Sequence, residues 1–297
     1  MNTSTDPTTR APIIRTVADL RGAVAALRAE GRTIGFVPTM GALHDGHLSL
    51  VRRAAEGGAA VVVSIFVNPT QFAANEDLSK YPRDERGDVE KLTAAGAELV
   101  FCPTPDQIYP DGFSTTVMVD GPSQGLEGQI RPTHFAGVAT VVAKLLLMVR
   151  PDRVVFGQKD AQQVAVVRRL MRDLHMDEIE MVVAPTVREA DGLAMSSRNT
   201  YLSAEHRAVA PVLYRNLIDT AIHIREGSSI AWALREARSN LSMSGFRVDY
   251  FEARNAIDLS PINSLGDGPI RLLAAAWLGK TRLIDNCAVP AAGGDGS

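Results

Sequence analysis

Residues 34–67 read IGFVPTMGALHDGHLSLVRRAAEGGAAVVVSIFV, and this stretch decides the fold. It opens on the apolar run Ile34–Val37 and closes on a longer one, Val61–Val67. A run without polar alternation marks a strand covered on both faces, as in a parallel sheet. Between the two runs, Leu48, Val51 and Ala55 recur on one face of a helix. Strand, helix and strand predict a βαβ unit with a right-handed crossover.

The pattern extends in both directions. Upstream, Val17, Leu20, Val24 and Leu27 fall at helical spacing, and Gly31 ends that helix. Downstream, ELVF (98–101), VVF (154–156) and MVV (181–183) read as further buried strands. Helices fit at about 84–95, 136–149 and 160–174, the last with Val164, Val167, Met171 and Leu174 on its buried face. Alternation of this kind predicts an α/β domain over 1–185, a Rossmann-like parallel sheet with helices on both faces. After residue 185 the pattern changes. Helical stretches near 204–225 and 229–243 precede FRVDYFEAR and IRLLAAAWLGKTRLIDNCAV, which turn at Gly279-Lys280. A smaller α+β domain with antiparallel strands is expected over 186–297, acting as a lid. The ends, 1–12 and 290–297, have loop composition and are expected to fray.

Composition narrows the function classes. A chain of 297 residues buries roughly 75% of its extended-chain surface and needs no staple. Net charge of −3, from 31 Lys+Arg against 34 Asp+Glu, argues against a general nucleic-acid or membrane-surface binder. Cys102 and Cys287 lie far apart without metal-ligand spacing and read as reduced, structural residues. The segment MNTSTDPTTRAP has no apolar signal region. AGVATVVAKLLLMV at 136–149 contains Lys144 and is too short for a membrane span. The expected location is the cytoplasm.

Ligands of open parallel sheets bind beyond the carboxyl ends of the strands. Three polar segments fall there: PTMGALHDGH, NPTQF and GQKDAQQ. In the first, His44, Asp45, Gly46 and His47 open a helix, where main-chain N–H groups and the dipole favour anions. Two imidazoles there suit phosphate oxygens, although a turn carrying two solvated histidines explains the same residues. A zinc pair lacks a nearby cysteine or acidic residue to complete it. Lys159 in Gly157-Gln158-Lys159-Asp160 is a flexible charge of the kind that meets phosphates. Asp160 suits a helix cap or a ribose hydroxyl, and Gln163 follows one turn later. Asn68 and Gln71 offer neutral amides for a hydroxyl or carboxylate; loop-fixing hydrogen bonds are the plainer explanation. Ser196, Ser197 and Arg198, after Asp191-Gly192, suit a loop that closes over a triphosphate, or an ordinary Ser-capped turn. Gly279-Lys280-Thr281 imitates the end of a phosphate-binding P-loop, but Ala274 stands where that pattern demands glycine. His134, His175, His206 and His223 have no partners in the sequence and read as structural.

Taken together, these segments resemble a known family. An HxGH loop after a strand, with a later serine–basic loop, is similar to the nucleotidylyltransferase superfamily. The longer strings VPTMGALHDGH, SIFVNPTQF, YPR, RPTHFAGV, FGQKDAQQ and PTVREADGLAMSSRN resemble the pantoate–β-alanine ligase family from about residue 13 to 289. The resemblance implies ATP-dependent joining of pantoate to β-alanine through a pantoyl adenylate. It implies ATP contacts at Met40, Gly41, Ala42, Leu43, His44, Asp45, Gly46 and His47, with His47 as proton donor. It further implies ATP contacts at Gly157, Gln158, Lys159, Asp160, Val187, Met195, Ser196, Ser197 and Arg198. Gln71 and Gln163 match the pantoate-binding glutamines, Gln71 also lying beside β-alanine. His44, His47, Lys159 and Arg198 then form the catalytic set, with Mg2+ as the metal and a homodimer as the assembly.

The chemistry agrees, because an ionised carboxylate needs no general base to attack phosphorus. Help is needed for charge on the triphosphate, and cations and imidazoles supply it. Where some relatives carry adjacent acidic residues, this chain has Gly87 before Asp88, which leaves Asp88 at most a contact to magnesium through water, and the phosphates are expected to carry most of the metal coordination. Ala161 replaces a tyrosine of some relatives. The rival within the superfamily, an adenylyltransferase for a phosphorylated acceptor, would call for cations where Gln71 and Gln163 stand. A non-catalytic RNA-binding relative is disfavoured by the charge of −3 and 5% aromatic residues.

Overall fold

The structure is a computed structural model that describes residues 10–72, 78 and 81–290. By its contacts the chain divides into two compact units. The first comprises Met1–Val119, Glu127–Gly157 and Val166–Ala184; the second comprises Asp120–Leu126, Gln158–Ala165 and Pro185–Ser297. One boundary of this division falls between Ala184 and Pro185. The second unit also takes two inserted segments that no change of composition announces.

The first unit carries a six-stranded, wholly parallel sheet in the order β1-β4-β3-β2-β5-β6. Its strands are β1 (Ile13–Ile14), β2 (Ile34–Thr39), β3 (Ala60–Ile65), β4 (Leu99–Phe101), β5 (Arg153–Gly157) and β6 (Glu180–Ala184). The associated helices are α1 (Val17–Ala29), α2 (Asp45–Ala54), α3 (Glu85–Ala94), α4 (Pro105–Ile108), α5 (Leu126–Ile130), α6 (His134–Val149) and α7 (Ala161–Asp173). Ala60 to Ser64 are all buried, which explains the nearly continuous apolar run in the sequence. Val37, Val61, Val63, Val100 and Val155 meet the apolar side of α2 and α3, including Val51, Ala54, Val89 and Leu92, in one core. The winding reverses between β2 and β5, so the segment after β2 and the strand end at Gly157 sit at the switch point of the sheet.

The second unit pairs β7 (Phe246–Asn255), β8 (Ile270–Leu278) and β9 (Thr281–Ala288) antiparallel in that order, and Gly279-Lys280 forms the last turn. Helices α8 (Ala204–Val209), α9 (Val212–Arg225) and α10 (Ile230–Met243) accompany this sheet. Leu213, Leu217, Ile224, Leu241, Phe251, Leu272 and Leu278 form their shared core.

Three readings of the sequence need correction. The stretch 204–225 is two helices, because Pro211 has no N–H to continue the ladder. Leu174 is 50% exposed: α7 stops at Asp173, and Leu170, 2% exposed, takes the buried place. Residues 10–12 are tied down rather than frayed. The Ala11 N–H donates to Thr93 Oγ1 (3.0 Å), and the Pro12 carbonyl accepts from Val100 N–H (3.0 Å) beside β4. The rest of the two expected frayed ends, apart from Pro290, lies outside the described residues. Residues 158–160 form a turn of 3₁₀ helix that leads into α7.

Both cysteines are free thiols, and burial pushes each up to about 12. Among the described residues no helix is long and apolar enough to cross a membrane.

Candidate active site

The site residues of the first unit begin where β2 ends. Gly41 and Ala42 both adopt left-handed backbone, at φ +83° and +53°. Two such residues in succession turn neighbouring N–H groups toward one acceptor. That acceptor is Asp88 of α3, whose Oδ2 accepts from Ala42 N–H and Oδ1 from Leu43 N–H, both at 2.8 Å. Lys91, one turn along α3, donates to the Leu43 carbonyl at 2.9 Å. A Cβ on Gly41 would lie 3.0 Å from Asp88 Oδ2 and 3.1 Å from Ile65 Cγ2, so only glycine lets the loop sit this close.

The loop delivers His44 to the N-cap of α2. Its Nδ1 accepts from Gly46 N–H (3.2 Å), while His47 Nδ1 accepts from His44 N–H (3.3 Å). The two side chains form a reciprocal cap, imidazoles standing where serine and glutamate more often serve. Their rings lie 4.1 Å apart, centre to centre. An Nδ1 that accepts a hydrogen bond carries no proton, so each neutral ring is an Nε2–H donor. A pair of oriented donors at a helix N-terminus is a place for anionic oxygen.

Asp88 is 1% exposed and both its oxygens accept from main-chain N–H groups, so it holds the Met40–Leu43 loop. Among the described residues no three His, Cys, Asp or Glu side chains gather as a metal site.

Gln71 closes the 3₁₀ turn after β3 and is 8% exposed. Its Nε2 lies 3.0 Å from Met40 Sδ, which brings two of the expected ligand residues together. Its main-chain carbonyl accepts from Arg131 Nη2 (3.3 Å) and from His134 Nδ1–H (3.0 Å). His134 is therefore an anchor for the Gln71 segment, which the sequence reading missed. The RPTHF string was the available signal. At Gly137, on the first turn of α6, a Cβ would stand 2.5 Å from the Thr70 carbonyl oxygen and 2.7 Å from Gln71 Cα. Gly137→Ala is therefore expected to cost about 1–3 kcal/mol by overpacking and to displace Gln71. A thermal melt that matches the wild-type protein would contradict that close approach.

In the second unit, Gln158, Lys159 and Asp160 are held from β9: Asn286 Nδ2 donates to the carbonyls of Gln158 (2.9 Å) and Lys159 (3.0 Å). Asn286 is in turn fixed by Arg271 (2.7 Å). The Lys159 ammonium stands 3.9 Å from Asp160 Oδ1. Gln163 is half-buried, whereas its neighbour Gln162 is buried and ties down the carbonyls of Pro122, Gln124 and Gly125.

Val187 and Met195 face each other across a hairpin, Met195 N–H donating to the Val187 carbonyl at 3.0 Å, with the turn at Asp191-Gly192. Ser196 caps the following 3₁₀ helix (Ser197–Tyr201) by accepting from Arg198 N–H at 3.2 Å. This segment is braced rather than slack. Arg188 makes a bidentate pair with Asp285 (2.6 and 2.9 Å), its guanidinium 3.3 Å from the Tyr214 ring centre. Arg207 pairs with Glu189 and Asp191, and Asn199 donates to Glu189 at 2.8 Å.

A doubly wound parallel sheet with an HxGH cap at its switch point defines an α/β protein whose ligand site lies beyond the carboxyl ends of its strands. A model of the family described as pantoate-beta-alanine ligase matches residues 12–288, and the chain belongs to that family. It is 54% identical over 282 residues to the pantothenate synthetase of Rhodopseudomonas palustris strain HaA2, covering 94% of this chain and 99% of that protein. Among solved structures, pantothenate synthetase from Thermus thermophilus aligns with a TM-score of 0.86 at 47% identity, over 93% of this chain and 99% of that one. The pantoate-beta-alanine ligase of Francisella tularensis, complexed with beta-gamma ATP and beta-alanine, aligns with a TM-score of 0.78 at 33% identity, over 94% and 98%.

Proposed function

We infer that the protein is an AMP-forming ligase that joins (R)-pantoate to β-alanine. The observation that carries this reading is the reciprocal His44–His47 cap, which leaves each neutral ring an Nε2–H donor at a helix N-terminus, in a member of this family. The pantoate carboxylate attacks the α-phosphorus of ATP, one P–O bond breaks, and pyrophosphate leaves. The β-alanine amine then attacks the acyl carbon of pantoyl adenylate, giving pantothenate and AMP with loss of a proton.

His44, His47, Lys159, Ser196, Ser197 and Arg198 stabilise triphosphate charge in this scheme, the two histidines as Nε2–H hydrogen-bond donors to the departing pyrophosphate. The main chain from Met40 to Leu43, together with Asp45, Gly46, Gly157, Gln158, Asp160, Val187 and Met195, makes up the rest of the proposed ATP contacts. Gln71 and Gln163 bind pantoate through neutral amides, which leave the carboxylate nucleophilic where an arginine pair would blunt it. Gln71 also meets β-alanine. Magnesium would enter with ATP and offset charge on the phosphates, while Asp88 accepts from the Ala42 and Leu43 N–H groups. A homodimer is carried over from the family resemblance, and a cytoplasmic location from the apolar patterning of the sequence; sedimentation velocity tests the former.

The deciding experiment omits each substrate in turn. Protein, ATP, magnesium and pantoate without β-alanine are expected to exchange labelled pyrophosphate into ATP, and ¹⁸O in the pantoate carboxylate should reach AMP after full turnover. Arg198→Ala should slow this exchange most among changes in the Ser196–Arg198 segment. Exchange that needs β-alanine, or AMP without ¹⁸O, would remove the free acyl adenylate from the scheme.

A further inference from the structure

The two ends of a carboxamide are nearly the same size, so only hydrogen-bond partners decide which end a buried glutamine turns toward a ligand. Gln71 is such a case. Its Oε1 accepts from Asn68 Nδ2 at 3.1 Å, and the second Nδ2 hydrogen goes to the Gly137 carbonyl, also at 3.1 Å. Asn68 is itself 1% exposed, and its Oδ1 accepts from Tyr109 O–H (2.7 Å), Thr70 Oγ1 (2.9 Å) and Thr70 N–H (3.3 Å). Both donors and the acceptor of the Asn68 amide are thus used. Turning it over would set oxygen against the Gly137 oxygen and NH2 against the Thr70 N–H, two unfavourable contacts at a buried position.

With Asn68 fixed, Gln71 has one orientation. Its oxygen faces Asn68, so its Nε2 points the other way, one contact being to the weakly accepting Met40 sulfur at 3.0 Å. Tyr109, which directly follows α4, makes the shortest of the three bonds to Oδ1. Its ring packs edge-on against Phe113, with centres 5.0 Å apart. Burial pushes the phenol up from its ordinary value, which keeps it a donor at neutral pH.

We propose that Tyr109 and Asn68 are positioning residues that lock the Gln71 amide with its N–H end toward the substrate, so that this subsite selects a ligand group that only accepts hydrogen bonds, such as a carboxylate oxygen. The proposal rests on the pantoate-binding role of Gln71. It adds the reason why the site presents donors and names two residues that act through Gln71.

The test is a set of steady-state measurements on the full chain. Tyr109→Phe keeps the ring and is expected to raise the KM for pantoate about fivefold while the KM for ATP stays within about twofold, the cost of one buried hydrogen bond. Asn68→Asp replaces NH2 by oxygen, so Gln71 must turn its own NH2 toward residue 68 and show its carbonyl to the substrate. The expected rise in pantoate KM is about 10- to 100-fold. If that variant fails to fold, the cycle of Tyr109→Phe with Gln71→Ala decides. A residue acting through Gln71 has no further effect on pantoate KM once Gln71 is gone, whereas an independent structural role gives additive effects. Additivity, or equal rises in the KM of pantoate and ATP, overturns the lock. A wild-type protein without pantoate-dependent turnover would instead refute the functional reading on which it rests.

Discussion

His47→Ala is expected to lower kcat by about 10²- to 10³-fold, the cost of removing one preorganised donor aimed at charge that grows in the transition state. The same change removes the acceptor for the His44 N–H at 3.3 Å, and a lost cap costs about 1 kcal/mol. The melting temperature should therefore fall by only a few degrees, which separates the catalytic loss from unfolding. His47→Gln refines the test. Its Oε1 can accept from His44 N–H while its Nε2 donates outward, so it should keep the stability and recover part of the rate. Undiminished turnover in His47→Ala at wild-type stability would remove His47 from the reaction.

The strands were legible because of where the sheet sits. Ala60 to Ser64 of β3 are buried on both faces, so their run is apolar almost throughout, and the same holds for Val154–Phe156. What failed was legible only through neighbours. Residues 10–12 look like loop by composition, and the Ala11 and Pro12 bonds depend on Thr93 and Val100, both more than eighty positions away. The break at Pro211 was written in the sequence but masked by continuous helical periodicity on both sides of it. The inserted segments 120–126 and 158–165 carry no composition change, because membership of a unit is a matter of tertiary contacts.

The site divides in the same way. Segments were found because polar residues gathered after apolar strands and because the longer strings match a family, but roles that come from partners were not. Nothing in HDGH says which ring nitrogen carries the proton; the two Nδ1 contacts do. His134 was read as structural and lies 3.0 Å from the Gln71 carbonyl, and Asn286 attracted no notice although it holds two carbonyls of the Gln158–Asp160 turn. Such residues touch the proposed ligand residues through the main chain, and main-chain partners leave no local signature in a sequence.

Asp88 offers the second large effect and separates two accounts of one residue. Asp88→Ala removes two charge-assisted hydrogen bonds, each about 1.5–3 kcal/mol, and leaves the N–H groups of Ala42 and Leu43 without that acceptor. A loss of about 3–5 kcal/mol is expected for the first unit, visible as a melting transition lowered by roughly ten degrees. The loop it holds contains two consecutive left-handed residues and leads directly into the His44–His47 cap, so the KM for ATP should rise and kcat should fall together. Asp88→Asn is the sharper variant. It preserves size, keeps one acceptor, and sets its NH2 against the other main-chain N–H. If Asp88 holds the loop, the stability loss appears equally with magnesium and with EDTA, and the magnesium concentration for half-maximal rate is unchanged. If Asp88 instead binds the metal, stability in EDTA stays at the wild-type level, the half-saturating magnesium rises several-fold, and excess magnesium restores the rate. The 2.8 Å contacts to Ala42 and Leu43 commit to the first outcome.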